Sequence, residues 1–170
     1  AIKTPELALM EVKSELIVFG ETTAKMVTFI NQMYTETKRS KIDKLLKKIK
    51  KREENTDRLE IEIAEYLAKV SENELSTSES LRVRSMLSMV QDMERIGDIF
   101  YQVGIELDKK AEEGSWFTPE QRQGLIDLTQ KVGEAIQVMT SNLGGDWDKS
   151  DLDMAILKEK EVRAVRKRLK

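Results

Sequence analysis

TPELALMEVKSELIVFGETTAKMVTFINQM, residues 4–33, carries a single apolar seam along its whole length. Thr4 stands where a side-chain oxygen caps a helix, and Pro5 where a fixed φ suits the first helical turn. From there Leu9, Val12, Leu16, Phe19, Met26, Ile30 and Met33 recur in steps of three and four or their sum. Such spacing places them on one face of a long helix, whereas a strand would alternate by two. A helix with one apolar stripe is stable only if other elements cover that stripe, so the rest of the chain must supply partners.

It supplies four more helical stretches. Residues 40–70 form the second, with Ile42, Leu46, Ile49, Ile63, Leu67 and Val70 on its seam. SENELSTSES makes a turn, and the third runs over 78–112. Gly114-Ser115-Trp116-Phe117 then leads to Thr118-Pro119, a second capped start. The fourth carries Leu125, Leu128, Val132, Ile136, Met139 and Leu143 and ends at Gly144-Gly145; a fifth begins near Ser150. Trp116 and Phe117 are expected to anchor the turn into the fourth helix, and Trp147 the turn into the fifth. Met86, Met89, Met93 and Met139 are expected to fill the core, since Met adapts to irregular packing. Long helices joined by short polar turns pack as antiparallel neighbours. The expected fold is therefore all-α, an antiparallel up-and-down helical bundle. A capped helix followed by a charged one recurs near Thr118, so we expect one domain over 1–170, with a complete three-helix repeat at about 4–113 and a partial second repeat at about 117–170.

Composition narrows the chemistry. Of 170 residues 35% are charged and 5% aromatic, with 2 prolines and 8 glycines, which suits amphipathic helices over a sandwich or barrel. There is neither cysteine nor histidine, which removes thiolate nucleophiles, zinc–cysteine sites and the commonest general base and metal ligand. A di-iron enzyme on a helical bundle would need Glu-x-x-His motifs. No enzymatic activity is expected. A net charge of −2 argues against attraction of the whole domain to nucleic acid. The chain has no run of about 18 apolar residues that would cross a bilayer. It begins at Ala1 and ends in the strongly helical KEKEVRAVRKRLK, which reads as an excerpt of a longer polypeptide.

The seam of the second helix is broken in its middle. Stepping from Ile49 and back from Ile63 lands on Glu53, Thr56 and Glu60, where apolar side chains belong. REENTDRLE pairs Glu53 with Asp57 one turn on, and DMERIGDIF pairs Glu94 with Asp98 on the next helix. Like charges at i and i+4 weaken a helix by roughly 0.2–0.5 kcal/mol, and four carboxylates brought together weaken it further unless a cation lies between them. Oxygen ligands alone select hard ions such as Mg, Mn, Ca or Fe. Gly97 removes a side chain where helices or an ion approach closely. The competing reading is a solvated acidic face in ordinary ion pairs, Lys50 with Glu53 and Arg95 with Asp98.

DMERIGDIFYQV, preceded by SLRVRSMLSMV, resembles the third-helix motif of the PhoU family, and REENTDRLEIEI is similar to its second helix. TPELALMEVKSEL resembles the segment that opens the C-terminal cytoplasmic PhoU-like domain of bacterial sodium/phosphate cotransporters. The Pro and Asp-Leu-Arg that precede the third helix in the free-standing regulator are absent from LSTSESLRVRS. The resemblance implies two three-helix bundles with carboxylate metal motifs on paired helices. Carried over residue by residue, it gives Glu53, Asp57, Glu94 and Asp98 as metal ligands, for Mg, Mn or Fe, with Glu54 and Glu60 as weaker candidates. In the fifth helix Glu159 aligns with Glu53 but Arg163 stands where Asp57 does, and a guanidinium repels a metal. At most one complete cluster is expected. The function so implied is a cytoplasmic regulatory domain of a sodium-dependent phosphate transporter at the inner face of a bacterial membrane. The alternatives are a free-standing regulator of phosphate uptake and a purely structural docking or dimerisation module.

KRSKIDKLLKKIKK, residues 38–51, puts Lys44, Lys47, Lys48 and Lys51 opposite Ile42, Leu45, Leu46 and Ile49. Such a face suits anionic headgroups or is simply solvated; no aromatic interleaves the lysines to stack bases. The expected partners are the membrane-embedded region of the same chain, an anionic membrane surface and a second copy in a homodimer. Nucleic acid is not expected.

Overall fold

The computed structural model describes residues 4–144. They form α1 (Pro5–Thr35), α2 (Arg39–Val70), α3 (Thr77–Glu112) and α4 (Pro119–Gly144), with no strand among the described residues. The expected fifth helix, Trp147, Glu159 and Arg163 lie outside them.

Local chemistry starts three of the helices. Thr4 Oγ1 accepts from the Leu7 N–H, and Pro5 opens α1. At α3 the Ser76 hydroxyl accepts from the Glu79 N–H at 3.2 Å while the Glu79 carboxylate accepts from the Ser76 N–H at 2.8 Å. This reciprocal box satisfies two end groups at once. Thr118 and Gln121 repeat the arrangement ahead of α4, at 3.2 and 3.1 Å. The α2 start has no side-chain cap.

α1 packs against all three other helices, and α2 packs on α3 as well. Tyr66 of α2 donates to Glu11 of α1 while Ile42 to Ile49 of α2 cluster with Met26 to Tyr34 of α1, and Gly20 faces Thr140 while Val27 faces Gly133, so α2 and α4 both run antiparallel to α1. Gly20 and Gly133 are what let α4 approach: a β-carbon at 20 would overlap Thr140 Oγ1, and one at 133 would lie 3.1 Å from Val27. The all-α up-and-down bundle expected from the sequence is the fold observed.

Its interior is divided along the helix axes. One cluster holds Leu9 to Phe19 of α1, Ile63 to Val70 of α2, Val83 to Met93 of α3, and Met139 and Leu143 of α4. The other holds Met26 to Tyr34, Ile42 to Ile49, Ile96 to Leu107, and Val132 to Ile136. α4 thus contributes to both. Each buried Leu, Ile, Met or Phe stabilises the fold by roughly 1.5–3 kcal/mol, yet on α2 the seam is polar between Ile49 and Ile63.

Two positions depart from the sequence reading. Leu45 is buried and Leu46 only partly so, because the α2 stripe is centred nearer the Ile42–Leu45–Ile49 line. Trp116 does not anchor its turn. It is 52% exposed, and Phe117 alone packs on the core, beneath the Lys110 ammonium 4.6 Å from its ring.

Candidate metal centre

The polar gap in α2 is where the carboxylates converge. Thr56 is fully buried at its centre, its hydroxyl turned back to donate to the Glu53 carbonyl at 2.8 Å, so no polar atom is stranded. Gly97 of α3 lies opposite: a β-carbon there would be 3.2 Å from Thr56 Oγ1 and 3.7 Å from Met26 Sδ. Because residue 97 has no side chain, α3 comes close enough to α2 for acids on the two helices to meet.

Glu53 and Asp57 from α2 and Asp98 from α3 each offer an oxygen, and these three atoms lie within 4.8 Å of one another. Around an ion bound at about 2.1 Å, ligand oxygens are separated by about 3 Å when adjacent and about 4.2 Å when opposite. Separations within 4.8 Å are of the order of that shell. Glu94 stands one turn before Asp98 and is hydrogen-bonded to it. Glu60 lies within electrostatic reach of Asp57, Asp98 and Glu94.

The carboxylates feel one another. Partial burial first, then the hydrogen bond to Asp98 and the charges of Asp98, Glu60 and Asp57, push Glu94 up to about 8. At neutral pH it therefore holds a proton, which it donates to Asp98. Glu53 is raised by burial and then by the charges of Asp57 and Asp98, and Asp57 by burial and then by Asp98. Glu60 is raised by burial and the same two aspartates, against a partial offset from Arg95. Among the described residues no Lys or Arg forms an ion pair with any of these five acids. Lys50 pairs instead with Glu54, at 3.9 Å. The pairings of Lys50 with Glu53 and Arg95 with Asp98, which would have made this an ordinary solvated face, do not form.

Of the residues singled out in the sequence, Glu53, Asp57 and Asp98 are brought together. Glu94 adjoins them through Asp98, Glu60 joins as a charge neighbour, and Glu54, exposed and paired with Lys50, acts on Glu53 and Asp57 only through its charge. The weight of Glu60 was present in the pattern, since it falls on the interrupted seam while Glu54 does not. An all-oxygen, net-negative set with no Lys or Arg paired to it among the described residues fits a hard divalent or trivalent ion.

Asp98 also lines a groove of about 800 Å³ along α3, whose apolar wall includes Tyr34, Ile99, Val103, Leu125 and Leu128. No described helix is long and apolar enough to cross a membrane.

The PhoU domain matches residues 18–104, a stretch that contains all five carboxylates. The chain belongs to the PhoU family. No curated protein and no solved structure matches the chain. The family is regulatory, and the match points to regulation of phosphate uptake in general.

Proposed function

We propose that this PhoU chain is the cytoplasmic regulatory domain of a sodium-dependent phosphate transporter, binding Mg, Mn or Fe through its carboxylates and modulating uptake. The observation that carries the reading is the convergence of Glu53, Asp57 and Asp98 oxygens from two helices with no Lys or Arg paired to them among the described residues. Glu94 completes the set when the ion displaces its proton, because coordination needs the ionised form. Since Asp98 borders both the ion site and the apolar groove, drawing it toward α2 alters the groove's polar rim. Ion occupancy and docking of a partner element in the groove are thereby linked.

Attachment to a transporter is supported by the opening TPELALMEVKSEL and by the lack of Pro and Asp-Leu-Arg ahead of α3. The free-standing regulator is the second reading, and the groove also serves a docking or homodimer module. The test is phosphate uptake by bacterial cells making the full-length protein, with and without Asp57→Asn and Asp98→Asn together. The reading predicts altered, sodium-dependent uptake at unchanged protein level. Uptake identical to wild type across phosphate and metal concentrations contradicts it.

A further inference from the structure

The first four turns of α2 are overwhelmingly basic. KRSKIDKLLKKIKKR, residues 38–52, holds nine basic residues against one acid, in a chain of net charge −2. The arrangement works against the helix. Its positive dipole end lies at Arg39, with no acidic residue in the first turn and no side-chain cap, and cations there are disfavoured. Arg39 is compensated by Asp43, Asp108 and Glu112, Lys41 by Glu36 and Lys50 by Glu54. Lys48 lies 5.5 Å from the centre of the Phe29 ring. Lys44, Lys47 and Lys51 are exposed and form no ion pair among the described residues.

These three are spaced by three and four, so they share one stripe on the side of α2 opposite the buried Ile42, Leu45 and Ile49; Lys48 flanks it. The stripe spans about 10 Å at 1.5 Å per residue. It is the convex outer surface of a helix and bears flexible ammonium groups, not the rigid fork of Arg that reads a specific carboxylate. It has no aromatic among the lysines on which a base could stack. A diffuse, planar, negative surface fits those features better than a folded acidic partner or a nucleic acid.

We propose that Lys44, Lys47, Lys48 and Lys51 dock the bundle on an anionic lipid surface, whose headgroup phosphates neutralise the charge that the fold leaves uncompensated. None of these lysines belongs to the carboxylate site, so the proposal stands or falls separately from the metal reading.

The test is flotation of the 170-residue chain with phosphatidylcholine vesicles, with and without one third phosphatidylglycerol. Each lysine near an anionic surface is worth roughly fivefold in partitioning. Replacing all four by Gln is therefore expected to weaken binding at least tenfold, with the helical circular dichroism unchanged. Wild type should bind the anionic vesicles, not the neutral ones, and be released at 1 M salt. A control with Lys25, Lys69, Lys109 and Lys131 changed to Gln loses the same charge and should still float. Equal flotation of wild type and the α2 variant, equal loss in the control, or no binding to anionic vesicles overturns the proposal. So does displacement by duplex DNA at concentrations where DNA binds more tightly than the vesicles do.

Discussion

Gly97 on α3 faces Thr56 on α2 so closely that a β-carbon at 97 would sit 3.2 Å from the Thr56 hydroxyl oxygen. That oxygen is fixed by its bond to the Glu53 carbonyl, so the pair sets the helix separation at the level of the acids. Gly97→Leu should lower stability by about 1–3 kcal/mol, the usual range for overpacking. It should also weaken any cation response. Gly97→Ala balances a helix-propensity gain of about 1 kcal/mol against the tight contact, and should be better tolerated with Thr56→Ala than alone. Thermal melts of the four proteins check this; equal stability of Gly97→Leu and wild type would show that the helices have room to spare.

Cation binding should appear as stabilisation of chelator-treated protein. An ion at a hundredfold excess over its dissociation constant adds about 2.7 kcal/mol, and for a chain of this size each kcal/mol raises Tm by about 2–4 °C. Mn or Mg should therefore raise Tm by roughly 5–10 °C. Asp57→Asn with Asp98→Asn should abolish the rise, whereas Glu54→Gln, on the outer face and paired with Lys50, should preserve it.

The pH dependence of the metal-free protein follows from Glu94, raised from 4.5 to about 8. Below about 4.5 the side chain is protonated whether folded or unfolded, and its charge does not penalise the fold. Between 4.5 and 8 the folded chain holds the proton that the unfolded chain releases, so stability falls as pH rises. Glu53, Asp57 and Glu60 shift in the same direction. Melts in chelator should show Tm higher near pH 5 than near pH 8, and Glu94→Gln should flatten the difference. Cation affinity should move the opposite way, rising with pH as the competing proton leaves; calorimetry in buffers of different ionisation enthalpy would register the released proton.

Tyr34 ties α1 to α4 through a 3.1 Å hydrogen bond between its hydroxyl and Thr129 Oγ1. Burial raises the phenol above its ordinary range, with Thr129 acting in the other direction. Thr129 also donates to the Leu125 carbonyl at 2.8 Å. Tyr34→Phe should cost about 1 kcal/mol, the common worth of such a bond. The same loss should be absent when Thr129 is already Val, which a double-mutant cycle in urea would measure.

Much of the bundle could be read from apolar spacing, because three- and four-residue steps over long segments admit no other regular structure. Leu16, Phe19, Ile30, Ile49, Leu67, Met86 and Ile136 are all buried as that spacing requires. The capping box at Ser76 and Glu79 was less visible inside SENELSTSES, where polar letters alone also suit a turn. The exposure of Trp116 was not legible, since nothing local says which of two adjacent aromatics turns inward. At the site, the broken α2 seam marked Glu53 and Glu60, and the i,i+4 spacing marked Asp57, Glu94 and Asp98. The distinction between Glu94, bonded to Asp98, and the three converging oxygens depends on side-chain direction across two helices, which spacing within one helix does not encode.

The most direct measurement is a crystal of the chain soaked in Mn and recorded at a wavelength with strong anomalous scattering. The account predicts a peak between α2 and α3 with oxygens of Glu53, Asp57 and Asp98 at about 2.1–2.2 Å, in the octahedral range of such ions. Absence of any peak there at saturating Mn, with the three side chains turned to bulk solvent, would contradict it.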